Sequence, residues 1–262
     1  MSRVCPLYSG STGNSTYIGT KNGGILVDAG ASFKGLCSAL ERAGGSYDEI
    51  KAIAVTHEHT DHIKGLKTFL NKTAASLLAS GGTIKALLNN DLIPSGTNVI
   101  EIDDKPIDIC GITVNRFATS HDCEDSSGYS FILPDLKKVT ICTDLGIVTD
   151  EVRNAIFKSD VLLFESNHDI EMLKRGPYPP MLKVRIMSEK GHISNNACAN
   201  ELKAIFESGT ERIILGHLSQ KNNTPLLARA AAEASLMDLG AKNGKDYLLS
   251  VATPKNNGVT VI

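Results

Sequence analysis

The chain carries seven histidines, at 57, 59, 62, 121, 168, 192 and 217, and three of them fall in one short run, Thr56-His57-Glu58-His59-Thr60-Asp61-His62. Imidazoles at i, i+2 and i+5 with a carboxylate at i+4 can all be turned into one space by a loop at a strand end. Imidazole and carboxylate ligands together suit Zn, Mn or Fe. A lone histidine in a loop is ordinarily a solvated polar group. Three with an aspartate at this spacing, bracketed by apolar segments, point instead to a metal site. The same brackets exclude a disordered His-rich tract.

Such a site needs elements that aim the ligands. An apolar strand over 50–55 ends just before the run, and a helix over 62–71 follows it, with Ile63, Leu66, Phe69 and Leu70 at helical spacing. Further polar residues recur where other apolar strands stop. His121 follows the strand 112–118, Asp144 follows 139–143, Glu165 closes 161–165, and His217 follows 213–215. In layered α/β proteins such strand ends converge on one crevice. Elsewhere, 15–18 and 24–28 read as a hairpin, and 32–43, 82–89, 150–158 and 195–207 read as helices. The last two are capped by Thr149 and Ser194, and Thr224-Pro225 opens a final helix. Segments 75–79, 98–102, 105–109, 129–133 and 247–251 complete the strands. The pattern predicts an α/β, layered chain of sheets covered by helices on their outer faces, organised as one domain over 1–262.

Hydrophobic residues are 42% and charged residues 21% of 262, which excludes a disordered chain and leaves enough apolar surface for a core. The formal net charge of -2 excludes a globally basic nucleic-acid coat, though not a local basic groove. No apolar run approaches the ~18 residues of a membrane span. The start lacks a signal-peptide core, and the six cysteines are scattered without a CxxC pair, so a reduced, cytoplasmic location is expected.

His57-x-His59-x-Asp61-His62, isolated His121, Asp144 in Thr-Asp-Leu-Gly and His217 in Leu-Gly-His-Leu-Ser resemble the metallo-β-lactamase-fold hydrolases. Within that superfamily the chain is most similar to the YycJ/WalJ-type proteins, related to ribonucleases J and Z. The segments that carry this are Ser9-Gly-Ser-Thr-Gly-Asn-Ser15, Glu165-Ser-Asn-His-Asp169, Tyr178-Pro-Pro with Leu182-Lys183-x-Arg185, and Gly191-His-Ile-Ser-Asn195. The resemblance implies an αββα four-layer sandwich with two divalent metal ions, Zn or Mn with Fe also compatible. It implies that His57, His59 and His121 hold one ion, that Asp61, His62 and His217 hold the other, and that Asp144 bridges. The implied activity is phosphodiester hydrolysis, as a DNA exonuclease working 5′ to 3′. Two cations about 3.5–4 Å apart can share a hydroxide and neutralise phosphoryl oxygens.

Asp61, Glu165 and His192 are the candidate catalytic residues. A histidine held by a carboxylate is a suitable proton donor near neutral pH, and the alternative for this pair is that Glu165 only orients a phosphate-binding His192. The resemblance also makes Ser11 and Asn14, in the glycine-containing loop 9–15, candidate phosphate contacts, and gives His168 a substrate role as an alternative to an ordinary loop histidine. The segment 172–190 carries Lys174, Arg175, Lys183, Arg185 and Lys190 against Glu189 and flanking Glu171, with Tyr178 between prolines. Read as a basic loop, it suits a nucleic-acid backbone, through Lys183 and Arg185 above all; the other reading is a solvated surface loop. Cys123 reads as core filler rather than a ligand. The competing function is another hydrolase of the same fold, acting on a thioester, a lactone or a small cyclic phosphodiester. A β-lactamase fits least, because an export signal is expected of one. A non-catalytic relative would have lost ligands, whereas all seven are present.

Overall fold

The computed structural model of the protein describes residues 2–255 and 257–262. Among the described residues, fourteen strands form two seven-stranded sheets. The first contains β1 (Arg3–Tyr8), β2 (Ser15–Thr20), β3 (Gly23–Val27), β4 (Ile50–Ala54), β5 (Ser76–Ala79) and β6 (Val99–Glu101). The second contains β7 (Ile107–Ile109), β8 (Ile112–Ala118), β9 (Ser127–Ile132), β10 (Lys138–Cys142), β11 (Val161–Glu165), β12 (Arg212–Gly216) and β13 (Leu248–Val251). The closing strand, β14 (Thr260–Val261), returns to the first sheet beside β1. Strands β3 to β6 run parallel, and so do β10 to β13.

Side-chain alternation sorts these strands into layers. On β3, Ile25 and Val27 point into the space between the sheets and Leu26 points outward. On β12, Ile214 points between the sheets while Ile213 and Leu215 point outward. Parallel strands buried on both faces read as continuous apolar runs, which is why they were visible in the sequence. The outer face of the first sheet is covered by α1 (Phe33–Arg42), α3 (Leu66–Lys72) and α4 (Gly81–Asn89), through Leu36, Leu40, Phe69 and Leu87. The outer face of the second is covered by α5 (Asp150–Ile156), α8 (Asn195–Glu207) and α9 (Pro225–Met237), through Val152, Leu202 and Leu236. The result is a helix–sheet–sheet–helix sandwich.

Three expectations need correction. The helix expected over 62–71 is two: α2 (Thr60–Ile63) and α3, parted at Gly65, whose Cα lies so close to the Ala31 carbonyl that a Cβ would sit 2.1 Å from it. The segment 172–190 is not a loop. It contains most of α6 (Ile170–Arg175) and all of α7 (Pro180–Ile186), the first capped by Asp169 and the second opened by Pro179-Pro180. Strand β1 was not expected; Pro6 interrupts its pattern, and the register shifts there as a bulge.

Candidate metal centre

The carboxyl ends of parallel strands from both sheets open on one edge of the sandwich. Asp28 follows β3, the 56–62 run follows β4, Asp144 follows β10, Glu165 ends β11 and His217 follows β12. Asp28, Asp144 and His217 turn there with φ of 63°, 59° and 54°, left-handed conformations that Asp and His tolerate better than most residues and that cost roughly 1–3 kcal/mol each. Chain reversal at the strand end is what aims these side chains into the crevice. His59 precedes the first turn of α2, which presents Asp61 and His62 side by side.

The structure brings the seven expected ligands together. Atoms of His57, His59 and His121 lie within 4.8 Å of one another, as do those of Asp61, His62 and His217, and those of His57, His62 and Asp144. Four of the five imidazoles, those of His57, His62, His121 and His217, are oriented through Nδ1, leaving Nε2 facing inward. His62 Nδ1 donates to Asp28 Oδ2 at 2.7 Å. His217 Nδ1 donates to Glu165 Oε1 at 2.8 Å, and His121 Nδ1 to the Gly191 carbonyl at 3.1 Å. His57 Nδ1 is 3.0 Å from Thr56 Oγ1, whose hydroxyl donates to Asp28. Ligating histidines are typically held by such partners.

A divalent cation fits this set. Six buried side-chain atoms lack a hydrogen-bond partner among the described residues, and three of them are His57 Nε2, Asp144 Oδ2 and His217 Nε2. His59 Nδ1 and His121 Nε2 face each other at 3.3 Å. Converging lone pairs of this kind are costly unless an ion satisfies them. Burial and the neighbouring imidazoles hold His57 well below its ordinary pKa, so it is neutral and able to ligate. Burial lowers the His62 pKa too, but Asp144 and Asp28 outweigh it and bring it up to about 9. Asp144 stays below its ordinary value because His217, His62 and His121 offset the burial that would raise it.

Glu165 is fully buried and accepts five hydrogen bonds. Two come from His217 Nδ1 and His192 Nδ1, at 2.8 and 3.0 Å, and three from the backbone N–H groups of Asp144, Leu145 and Ile193. Burial would raise its pKa, but His192, His217 and their hydrogen bonds prevail and hold it low. One carboxylate therefore orients both an expected ligand, His217, and His192.

Above the cluster is an open cavity of about 410 Å³. Of the residues expected at the substrate, Ser11, Arg185 and His192 line it; Asn14, His168 and Lys183 do not. Asn14 is buried behind the cluster, where its Nδ2 donates to Asp61 Oδ2 at 3.1 Å and lies 3.0 Å from His62 Nε2. His168 is 2% exposed, and burial lowers its pKa to about 4. The Lys183 ammonium caps the Lys174 carbonyl at 2.7 Å. Much of the basic segment is also neutralised locally: Lys174 and Arg175 pair with Glu171, and Arg185 pairs with both carboxylate oxygens of Asp122.

The sequence reading missed Asp28, Thr56, Ser9, whose Oγ accepts from the His217 N–H at 2.8 Å, and Asn167, whose Nδ2 donates to the His217 carbonyl at 2.9 Å. Asp28 carried a usable signal, since it too stands at the end of an apolar strand. Gly30 ties this region together: a Cβ there would lie 1.7 Å from the Asp61 carbonyl, so only glycine lets the 28–31 turn pack against α2.

This sandwich with a histidine–aspartate cluster at the strand ends belongs to a known class. The family described as "Beta-lactamase superfamily domain" matches residues 24–218, and the chain belongs to this family, with the metallo-β-lactamase fold. Along nearly its whole length it is similar to two named relatives. It is 36% identical to the exodeoxyribonuclease YycJ of Bacillus anthracis, over 95% of this chain and 94% of that one. It is 34% identical to the exodeoxyribonuclease WalJ of Streptococcus pneumoniae, over 95% and 93%. Among solved structures, the metallo-β-lactamase fold protein YhfI of Bacillus subtilis superposes with a TM-score of 0.73 at 15% identity, covering 99% of each chain, and so shares the fold. No helix among the described residues is long and apolar enough to cross a membrane.

Proposed function

We propose that this chain is a divalent-metal-dependent exodeoxyribonuclease that degrades DNA from the 5′ end, as one domain over 1–262. In this reading His57, His59 and His121 hold one ion, Asp61, His62 and His217 a second, and Asp144 faces both; Zn or Mn, with Fe also compatible, suits this donor set. The observation that carries the proposal is the convergence of the seven ligand side chains from four strand ends, with His57 Nε2, Asp144 Oδ2 and His217 Nε2 buried and partnerless among the described residues. Similarity along 95% of the chain to named exodeoxyribonucleases supports DNA as the substrate class.

When bound, divalent ions supply Lewis-acid polarisation of phosphoryl oxygens and an activated water at neutral pH. The protein's own part is orientation and proton transfer. His192 lines the cavity with its Nδ1 fixed on Glu165, so its Nε2 is the atom available to give a proton to the leaving alkoxide. Glu165 stabilises the positive charge His192 carries before that transfer. Asp61 is fixed by Asn14 Nδ2 and pressed by His217 and His62, whose influence overcomes burial and keeps it ionised. In this reading Ser11 and Arg185, which line the cavity, meet the substrate's phosphates.

The test uses purified, metal-loaded protein on end-labelled DNA, RNA and a thioester. Release of the 5′ label from DNA ahead of internal fragments supports the reading. Thioester cleavage without phosphodiester turnover, with either Mn or Zn, rejects it.

A further inference from the structure

Three segments that carry the site's chemistry run side by side. The middle one, 165–169, continues β11 from Glu165; 192–195, which carries His192, flanks it on one side, and 216–223, which carries His217, on the other. Backbone bonds join the middle to the first flank, from the Asn167 N–H to the Ile193 carbonyl at 3.1 Å and from the Asn195 N–H to the His168 carbonyl at 2.9 Å. Others join it to the second, from the Ser166 N–H to the Gly216 carbonyl at 3.0 Å and from the Ser219 N–H to the Asn167 carbonyl at 2.8 Å. The two flanks are also tied directly to each other by a pair of asparagines. Asn195 Nδ2 donates to Asn223 Oδ1 at 2.9 Å, and Asn223 Nδ2 donates back to Asn195 Oδ1 at 2.8 Å. Asn195 Oδ1 accepts from the Ser166 hydroxyl as well, at 2.7 Å, and Asn223 Nδ2 reaches the Ser166 and Asn167 carbonyls at 2.9 and 3.0 Å. The pair is 2% and 6% exposed, and neither residue lines the cavity. Asparagine is a weak helix former, so α8 does not call for one at its first position. Buried amides cost free energy unless they are bonded. A buried network bonded this completely fixes one arrangement of the segments it joins.

We propose that Asn195 and Asn223 are positioning residues for hydrolysis: their reciprocal amide pair locks the segment carrying His192 against the segment carrying His217, and so aims His192 at the leaving oxygen. The proposal rests on the exodeoxyribonuclease reading for the identity of that oxygen. Hydrolysis adds hydroxide to phosphorus and a proton to the leaving oxygen as the P–O bond breaks. His217 has anchors of its own, in Ser9 Oγ on its N–H and Asn167 Nδ2 on its carbonyl, so breaking the pair leaves it among the ligands. His192 is the group that loses its aim.

The experiment compares zinc-loaded wild type, Asn195→Ala, Asn223→Ala and the double variant on end-labelled DNA and on a p-nitrophenyl ester of thymidine 5′-phosphate, with circular dichroism to confirm folding. p-Nitrophenolate leaves without a proton, so its release does not depend on where His192 points. On DNA each single variant should lose about 10- to 100-fold in kcat, the cost of moving a reacting group by about 1 Å, with KM and bound zinc unchanged. The double variant should lose no more than the worse single one, because the two residues act as one pair. On the aryl ester all four proteins should be alike. In protein with isotope-labelled histidine, the Nδ1 proton signal of His192 on Glu165 should broaden or vanish in the variants, while those of His62 on Asp28 and His217 on Glu165 persist. Where alanine at 195 does not fold, Asn195→Ser, one bond too short to reach Asn223, takes its place with the same expectations. Wild-type kcat on DNA, equal losses on DNA and aryl ester, lost zinc, or an unmoved His192 signal overturns the positioning role while leaving the exodeoxyribonuclease reading intact. A wild type that digests no DNA overturns that reading, and the histidine signals then decide the pair by themselves: selective loss at His192 supports it, and an unmoved signal rejects it.

Discussion

Replacing Asp28 by Asn isolates the second layer of the metal centre. Asn is nearly isosteric and tolerates the left-handed backbone at φ 63°, so the turn after β3 is preserved. Its Oδ1 can keep the Thr56 N–H, now 2.8 Å from Asp28 Oδ1. Its Nδ2 would then meet His62 Nδ1, 2.7 Å from Asp28 Oδ2, donor against donor. In its neutral, ligating form His62 escapes that conflict by carrying its one proton not on Nδ1 but on Nε2, the atom that lies 3.5 Å from both Asp61 and Asp144. Protonation there removes an expected ligand. Loss of such an outer partner costs about 10- to 100-fold in metal affinity, or roughly 1.4–2.7 kcal/mol. Competition against a chromophoric chelator at neutral pH measures the affinity, and circular dichroism checks that the fold persists. A folded Asp28→Asn protein with wild-type affinity would refute the tautomer argument.

Three further outcomes follow from the same geometry. His192→Ala should lower kcat by about 10²–10⁴ while bound metal, counted by elemental analysis, stays unchanged; lost metal would place His192 among the ligands instead. Gly30→Ala forces a Cβ to 1.7 Å from the Asp61 carbonyl and should destabilise the fold by about 1–3 kcal/mol or more in urea titrations; wild-type stability would show that this turn can relax. His168, held neutral in the fold with its pKa lowered to about 4, makes the metal-free protein lose stability as pH falls from about 6.5 toward 4, by at most about 1.4 kcal/mol per pH unit. His168→Gln should have a shallower pH dependence over that window, and identical slopes would mean that His168 is not held neutral.

What the sequence revealed and what it hid divide along local and non-local lines. The 56–62 run is local, so its chemistry could be read directly. Asp144, Glu165 and His217 were legible because each interrupts a continuous apolar strand. The partnership of Asp28 with His62 was not, since it depends on β3 lying parallel to β4 with Val27 opposite Ala54. The role of Asn14 was hidden for the same reason: its backbone and side chain both bind Asp61, 47 positions away. In 170–186 the charged residues that mark a surface also cap and pair within short helices, which disguised α6 and α7 as a loop. Arg185 kept its place at the cavity because α7 turns it there, whereas Lys183, two residues earlier, points back to α6.

The most direct test of the central claim is anomalous diffraction from crystals of the protein grown with excess zinc or manganese. Two neighbouring peaks are expected, one among His57, His59 and His121 and one among Asp61, His62 and His217, with Asp144 reaching both. Fully formed density for these side chains with no anomalous peak between them would contradict the account.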